Sequence, residues 1–442
     1  MLNHLKTWLR NRPIWQITLL VVFLIILMTL LGIWIFSQRS LNIKLEALRD
    51  QGLPTNLTEV NEYYSIPEGT IDSTELWLKA FDAIESAGLV ALGKDLPFIG
   101  QGTRPKAGEK WDQFDKAKQL VNDFNSKLKL IHEAAEAGGQ IRFPFDFTLM
   151  SLDTMKTLNK VRNAASFLSL AVEVSVYSGD CESAMKCTQS LLLLTNALQN
   201  EVSTLSVLTN NALFAIGVDR LELILSECYL SDAQLRNLQE LIMGVDFRDS
   251  ITRALVAERA FNLTSVEMVS LPTLKTANKL YVLNHFEKIF ATFDKPWIAS
   301  LQLLKQCDQK FANRLSGTVI SYPIFTATYL TGWHKIFIHS SMEVSARQRC
   351  INATLAAKRF QLMNGSFPQS LVEIPHDLLT PDEFSQELLI DPFDGKPLRF
   401  KLKENRLLIY SVGENQIDDG GACPRGDGGT GLDIGFWLTL SN

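Results

Sequence analysis

A mainly α-helical protein, tethered to a membrane by its N-terminus and ending in a small α+β module, is the fold class this sequence predicts. Three observations carry it: an uncharged apolar run at 14–36, helical spacing of apolar residues through 72–342, and turn signals with an alternating strand pattern after 343. Hydrophobic residues make up 46% of the chain and charged residues 21%, which excludes a disordered chain, a collagen-like chain and a small disulfide-stapled scaffold. With 43 basic residues against 48 acidic ones, the positive surplus that phosphate binding needs is missing, so no nucleic acid is expected as a partner.

The run from Ile14 to Phe36 holds 23 residues without a charge. As a helix it spans about 34 Å, enough for a hydrocarbon core of about 30 Å. Trp15 and Trp34 stand near its ends, where amphipathic rings favour the interface. Lys6, Arg10 and Arg12 precede it, and only Arg39 follows closely. The positive-inside bias then leaves 1–13 in the cytoplasm and exports the remainder. A cleaved signal peptide is the alternative. Its apolar region is usually about 7–15 residues long and ends in small residues, whereas this one ends Gly32-Ile-Trp-Ile-Phe36. The expected partner of 14–36 is therefore the lipid bilayer.

Residues 37–71, with Pro54, Pro67 and Gly69, read as a linker. The spacing then predicts an exported helical bundle or short solenoid over 72–342. Asp72 and Glu75 have capping-box spacing, followed by Leu76, Ala80, Ala83 and Ile84 on one face. Gly- and Pro-rich 90–109 reads as an irregular connection, 110–137 as one helix stopped by Gly138-Gly139, and Arg142–Phe147 as extended. A long helix ends at Ser178-Gly179-Asp180. The next starts at Cys181 with Ala184, Cys187, Leu191 and Leu194 facing the core. A third runs from Val202 to Cys228, with Leu205, Leu208, Ala212 and Ile216 as its apolar stripe. Ser231 and Gln234 form a second capping box, stapled by Leu230 and Leu235. The fragment SGDCESAMKCTQSLLLL is similar to part of a tetratricopeptide hairpin, but the period is not sustained and ordinary helix packing is expected. Helical patterns continue to 342 with breaks at Pro272, Pro296 and Pro323, and apolar 316–331 is too short and interrupted for a second span. The six cysteines are dispersed without a C-x-x-C pair, which leaves disulfides and buried thiols both open.

After 343 a helix leads to Lys358-Arg359-Phe360 and Asn364-Gly-Ser-Phe-Pro368. Asp394-Gly395 marks a turn, Leu398, Phe400 and Leu402 alternate with basic residues, and Leu407–Ser411 reads as the returning strand of a β-hairpin. Residues 411–435 then carry five acids, one base and eight glycines. Such a loop either stays solvated or folds around a hard cation, which takes oxygen ligands from carboxylates, amides and carbonyls.

In its order of motifs, from Lys358-Arg359-Phe360 through Asp391-Pro-Phe-Asp-Gly-Lys-Pro397 to Tyr410-Ser-Val-Gly413 and Asp433-Ile-Gly-Phe-Trp437, the module resembles the globular domain of the major pseudopilins of type II secretion. The resemblance covers 343–442. It implies a structural Ca2+ held by the carbonyls of Val412 and Ile417 and by Asn415 and Asp433. Leu432 falls where that family often has a further carboxylate, which Asp418, Asp419 or Asp427 would replace. The chain lacks the prepilin cleavage site and the early helical Glu of a pseudopilin, and as a whole it resembles membrane-anchored bacterial proteins that end in this module. The resemblance implies a bacterial inner membrane, with the bulk of the chain periplasmic.

No H-E-x-x-H, G-x-S-x-G or P-loop is present, and His334 and His339 are not spaced for one helix face. No catalytic residue is assigned. The expected role is an interaction or scaffold subunit of the cell envelope, linked to secretion-type machinery. The alternatives are a hydrolase sited in the helical domain and a pseudopilin-like assembly subunit.

Overall fold

The computed structural model describes residues 13–105, 110–148, 153–293, 295–315, 331–379, 388–403, 406–423 and 432–439. Its first helix, α1 (Ile14–Asp50), starts after Pro13 and runs for 37 residues without a break. At 1.5 Å per residue that is about 55 Å, well beyond one bilayer core. The helix changes character along its length. Its apolar half, up to Phe36, is mostly exposed and holds no buried residue, whereas Leu41 is buried in the body. Among the described residues this is the one helix long and apolar enough to cross a membrane.

The segment read as a linker is built into the fold. Residues 37–50 continue α1, and α2 (Leu57–Tyr63) follows, capped by Asn56, whose side chain accepts from the Glu59 N–H. Arg49 pairs with Glu59 at 3.1 Å and donates to Thr55 at 2.9 Å. Val60 and Tyr64 are fully buried. The prolines and glycines of this stretch therefore mark turns between packed pieces.

Helices α3 (Thr74–Ser86) and α4 (Leu89–Leu92) come next, then α5 (Phe114–Asp123) and α6 (Asn125–Ala137). Asp72 does not form the capping box expected of it. Its carboxylate accepts from Thr74 N–H at 2.9 Å, Ser73 takes the cap position, and the chain here bridges to Gln140. The buried face of α3 is Trp77, Ala80, Phe81 and Ile84, while Leu76 is exposed. The helix expected over 110–137 is two helices. Phe124 leaves helical geometry at the junction and is buried, its ring 5.5 Å from that of Phe167.

The centre of the body is a run of antiparallel helices: α7 (Asp153–Tyr177), α8 (Cys181–Ala197) and α9 (Thr204–Glu227). Gly179, at φ +75°, makes the turn into α8, and Asp180 caps it by accepting from Ser183 N–H. A disulfide joins Cys181, at the start of α8, to Cys228, just past the end of α9, with Cα atoms 5.8 Å apart. The four residues expected to face the core of α8 are all buried. On α9 the expected stripe is the less buried one. The helix is covered by α7, α8 and later helices, and its fully buried apolar residues include Val207, Leu213, Phe214, Val218, Leu221 and Ile224.

Helix α10 (Asp232–Met243) opens with the expected capping box, in which Ser231 and Gln234 bond reciprocally, and both staple leucines are buried. Helices α11 (Phe247–Ser265), α12 (Pro272–Phe290) and α13 (Trp297–Leu315) follow, with a short 3-10 turn at Val266–Met268. Helix α12 lies along α1: Thr276 bonds Gln38 at 2.6 Å and Glu287 bonds Lys44 at 2.7 Å. The two helices therefore run parallel, with the start of α12 toward the apolar half of α1. The apolar segment 316–330 lies outside the described residues.

Helix α14 (Thr331–Asn364) crosses the boundary drawn at 342/343 without interruption. It packs on α9, α10 and α11 and also on the sheet β1 (Arg399–Lys403), β2 (Arg406–Ser411) and β3 (Ile434–Thr439). The strands are antiparallel in the order β1-β2-β3, with Lys403 opposite Arg406 and Ser411 opposite Ile434. The expected hairpin is present, and β3 adds a strand beyond it. Leu398, Leu407, Ile409 and Leu438 belong to the same hydrophobic cluster as Leu191, Leu221 and Leu235, so the terminal module shares the core of the helical body.

Candidate functional site in the C-terminal loop

Two buried aspartates organise this module. Asp391, in the tight turn before β1, is fully buried. It accepts from Phe393 N–H at 2.9 Å, Ser411 Oγ–H at 2.8 Å and Val412 N–H at 2.8 Å. Arg399 adds an ion pair at 3.1 Å and also grips Asp394. Burial raises the Asp391 carboxyl above its usual range, against the pull of these donors. At Asp394 burial is the largest single influence and pushes upward, but the hydrogen bonds from Arg399 and Lys396 N–H and the charges of both residues together outweigh it and bring the carboxyl down. Asp391 thus ties the turn to the end of β2. A local reading sees only a turn at this place, because Ser411 and Val412, the partners at the end of β2, lie twenty residues and more along the chain.

Asp433 stands just before β3 and is buried. One oxygen accepts from Gly421 N–H at 2.7 Å and the other from Asp419 N–H at 3.4 Å. Burial pushes this carboxyl up, and the charges of Asp419 and Asp418 push it further. Gly413, at φ +64°, sits so close to the Leu432 carbonyl that a Cβ would collide with it.

The residues singled out for a cation are placed as follows. Val412 is buried, its N–H on Asp391. Asn415 accepts from Ile417 N–H at 3.0 Å and donates to Asp419 at 2.8 Å. Ile417 is exposed. Asp418 accepts from Tyr410 O–H and from Gly420 N–H, both at 2.9 Å, and these bonds hold its carboxyl low. Asp427 lies outside the described residues. Among the described residues no three acidic, histidine or cysteine side chains converge as a metal cage. In the described part of the loop, Asp418 and Asp433 accept from N–H and O–H donors of the module itself.

Two further buried acids lie in the helical body, where no catalytic residue was expected. Glu201 accepts from Tyr64 O–H, whose oxygen in turn accepts from Phe143 N–H at 2.8 Å. Glu173 pairs with Arg220, and Arg220 with Asp219 at 2.8 Å. Burial pushes both glutamates up to about 7. Their partners join separate parts of the fold, which fits a structural role. Comparison with family models, with curated proteins and with solved structures gives no match for this chain.

Proposed function

We propose that this protein is a single-pass envelope protein, anchored by 14–36 in a bacterial inner membrane, whose exported body serves as an interaction or scaffold subunit for secretion-type machinery. The observation that carries the reading is α1 itself. Its apolar half is bare and its polar half is packed into the body, so tether and body form one stiff piece. Two features support it. The Cys181–Cys228 disulfide suits an oxidising compartment outside the cytosol. Helix α12 also runs beside α1 with its start toward the tether, and the turn before it exposes Met268 (88%) and Leu271 (59%). That apolar turn would rest on the outer leaflet. The test is to quench growing cells with acid and alkylate their thiols. On this reading Cys181 and Cys228 are protected until a reductant is added; free thiols at both positions in cells would overturn it. The scaffold role is tested with a photo-crosslinker at exposed Ile417, which should capture a component of an envelope secretion machine. Capture of lipid alone would remove that role.

A structural Ca2+ in the loop is the second part of the proposal. The favouring observation is the mutual repulsion of Asp418, Asp419 and Asp433, which a bound cation would relieve. Asn415, Asp418, Asp419 and Asp433, with the carbonyls of Val412 and Ile417 and with Asp427, are the residues to hold it. Binding to the native state must raise the melting temperature by mass action. An equal melt of the full chain in calcium and in chelator would exclude it.

A further inference from the structure

A cleft of about 480 Å³ lies where the polar half of α1 meets α11 and α12. Leu48, Leu53, Val256, Leu283 and Phe290 form its apolar wall. Into the same space faces Arg259, which is only 4% exposed. Its guanidinium lies 5.7 Å from the Phe290 ring centre and donates once, at 3.3 Å, to the Pro54 carbonyl, while its Nε has no partner. Among the described residues no carboxylate pairs with it. Lys44, also on the lining, is already paired with Glu287. A buried cation without a counter-ion is costly to keep, so this one is matched to an anion that arrives from outside. The apolar wall asks that the anion carry a hydrocarbon chain, and the volume falls in the range of ligand pockets.

The position of the cleft narrows the ligand further. Leu48 stands twelve residues beyond Phe36 on one unbroken helix, or about 18 Å past the apolar run. An occupant must therefore leave the bilayer. A single acyl chain does so readily, because it is held in a membrane only weakly, whereas a two-chain lipid does not. We propose that the cleft binds a single-chain anionic amphiphile, its chain against the apolar wall and its carboxylate or phosphate head on Arg259. The proposal goes beyond the scaffold reading and does not depend on which side of the membrane the body lies.

The test uses the full chain in phosphatidylcholine nanodiscs, with a diazirine-bearing dodecanoate as the photo-label. Labelled peptides should come from the stretches around Val256 and Leu283. Excess dodecanoate or dodecyl phosphate should compete, and the stronger of the two identifies the head. Dodecyltrimethylammonium and inorganic phosphate should compete much less. Arg259→Met should weaken labelling by roughly tenfold or more, the loss expected for one charge-assisted hydrogen bond, and Arg259→Lys should restore part of it. Should Arg259→Met fail to fold, Ala47→Trp, on the exposed side of the lining, should block labelling by filling the space. Labelling confined to 14–36, equal competition by the cationic amphiphile or by phosphate, or labelling unchanged in the variant that folds would each overturn the proposal.

Discussion

The helical body and the C-terminal module both bury carboxylates, but they employ them differently. In the body, Glu173 meets the guanidinium of Arg220, and Glu201 meets the phenol of Tyr64, so side chain holds side chain between separate segments of the chain. In the module, the buried Asp391 and Asp433 accept mainly from backbone N–H groups, so side chain holds main chain where regular structure stops. The contrast follows from local geometry. Helices satisfy their own peptide groups, while a glycine-rich loop leaves N–H groups that need an acceptor once they are buried.

The comparison can be broken at four points. The largest effect is expected from the body's covalent clamp. Cys181 and Cys228 are 47 residues apart, and opening a loop of that length should cost about 4 kcal/mol on a chain-entropy estimate. Denaturant melts of the full chain with and without reductant measure it, and equal midpoints would show that the link adds nothing. Next, Asp391→Ala strands Ser411 Oγ–H and the Phe393 and Val412 N–H groups, and should cost roughly 3 kcal/mol or more. Hydrogen exchange should then rise in β2 while α8 stays protected. Loosening of both alike would mean that the module does not answer to Asp391.

The third test uses pH. Burial raises folded Glu201 from 4.5 to about 7. Below 4.5 both states are protonated and its contribution is complete. As pH rises toward 7 the unfolded chain loses its proton first, so stability falls, by up to roughly 3 kcal/mol for a shift of this size. Glu201→Gln should flatten the melting temperature between pH 5 and pH 7, and Glu173→Gln should remove a comparable part, because burial raises its carboxyl to the same value. A pH slope untouched by Glu201→Gln would assign it elsewhere. The smallest effect is Ser231→Ala, which removes one side of a capping box and should cost about 1 kcal/mol. A change near zero would show that Gln234 caps α10 unaided.

Legibility in the sequence followed the same division. The turn at Ser178-Gly179-Asp180, the start of α8 and the Ser231 capping box were all readable, because each is settled within a few residues by local hydrogen bonds. The long apolar N-terminal helix was readable from length and composition. The buried face of α9 was not: the helix is covered on several sides and buries Asn210, Asn211 and Arg220 beside its apolar residues, so no clean stripe marks its core face. Residues 54–71 read as a linker because proline and glycine mark turns in packed and unpacked chain alike, and the burial of Val60 and Tyr64 depends on helices far along the chain. Strand β3 follows the glycine-rich loop as an apolar run without alternation. The roles of Asp391 and Asp433 rest on donors far along the chain, which no local pattern encodes. The acids of the loop were visible, but whether they face an ion or their own backbone is a matter of folding.

The most direct test of the central claim is protease treatment of sealed spheroplasts from cells making the full chain. A tether with an exported body predicts rapid loss of every epitope after about residue 50, with an N-terminal tag surviving on a short membrane-bound stub. An intact C-terminal epitope, digested only after the membrane is ruptured, would place the body in the cytosol and contradict the account.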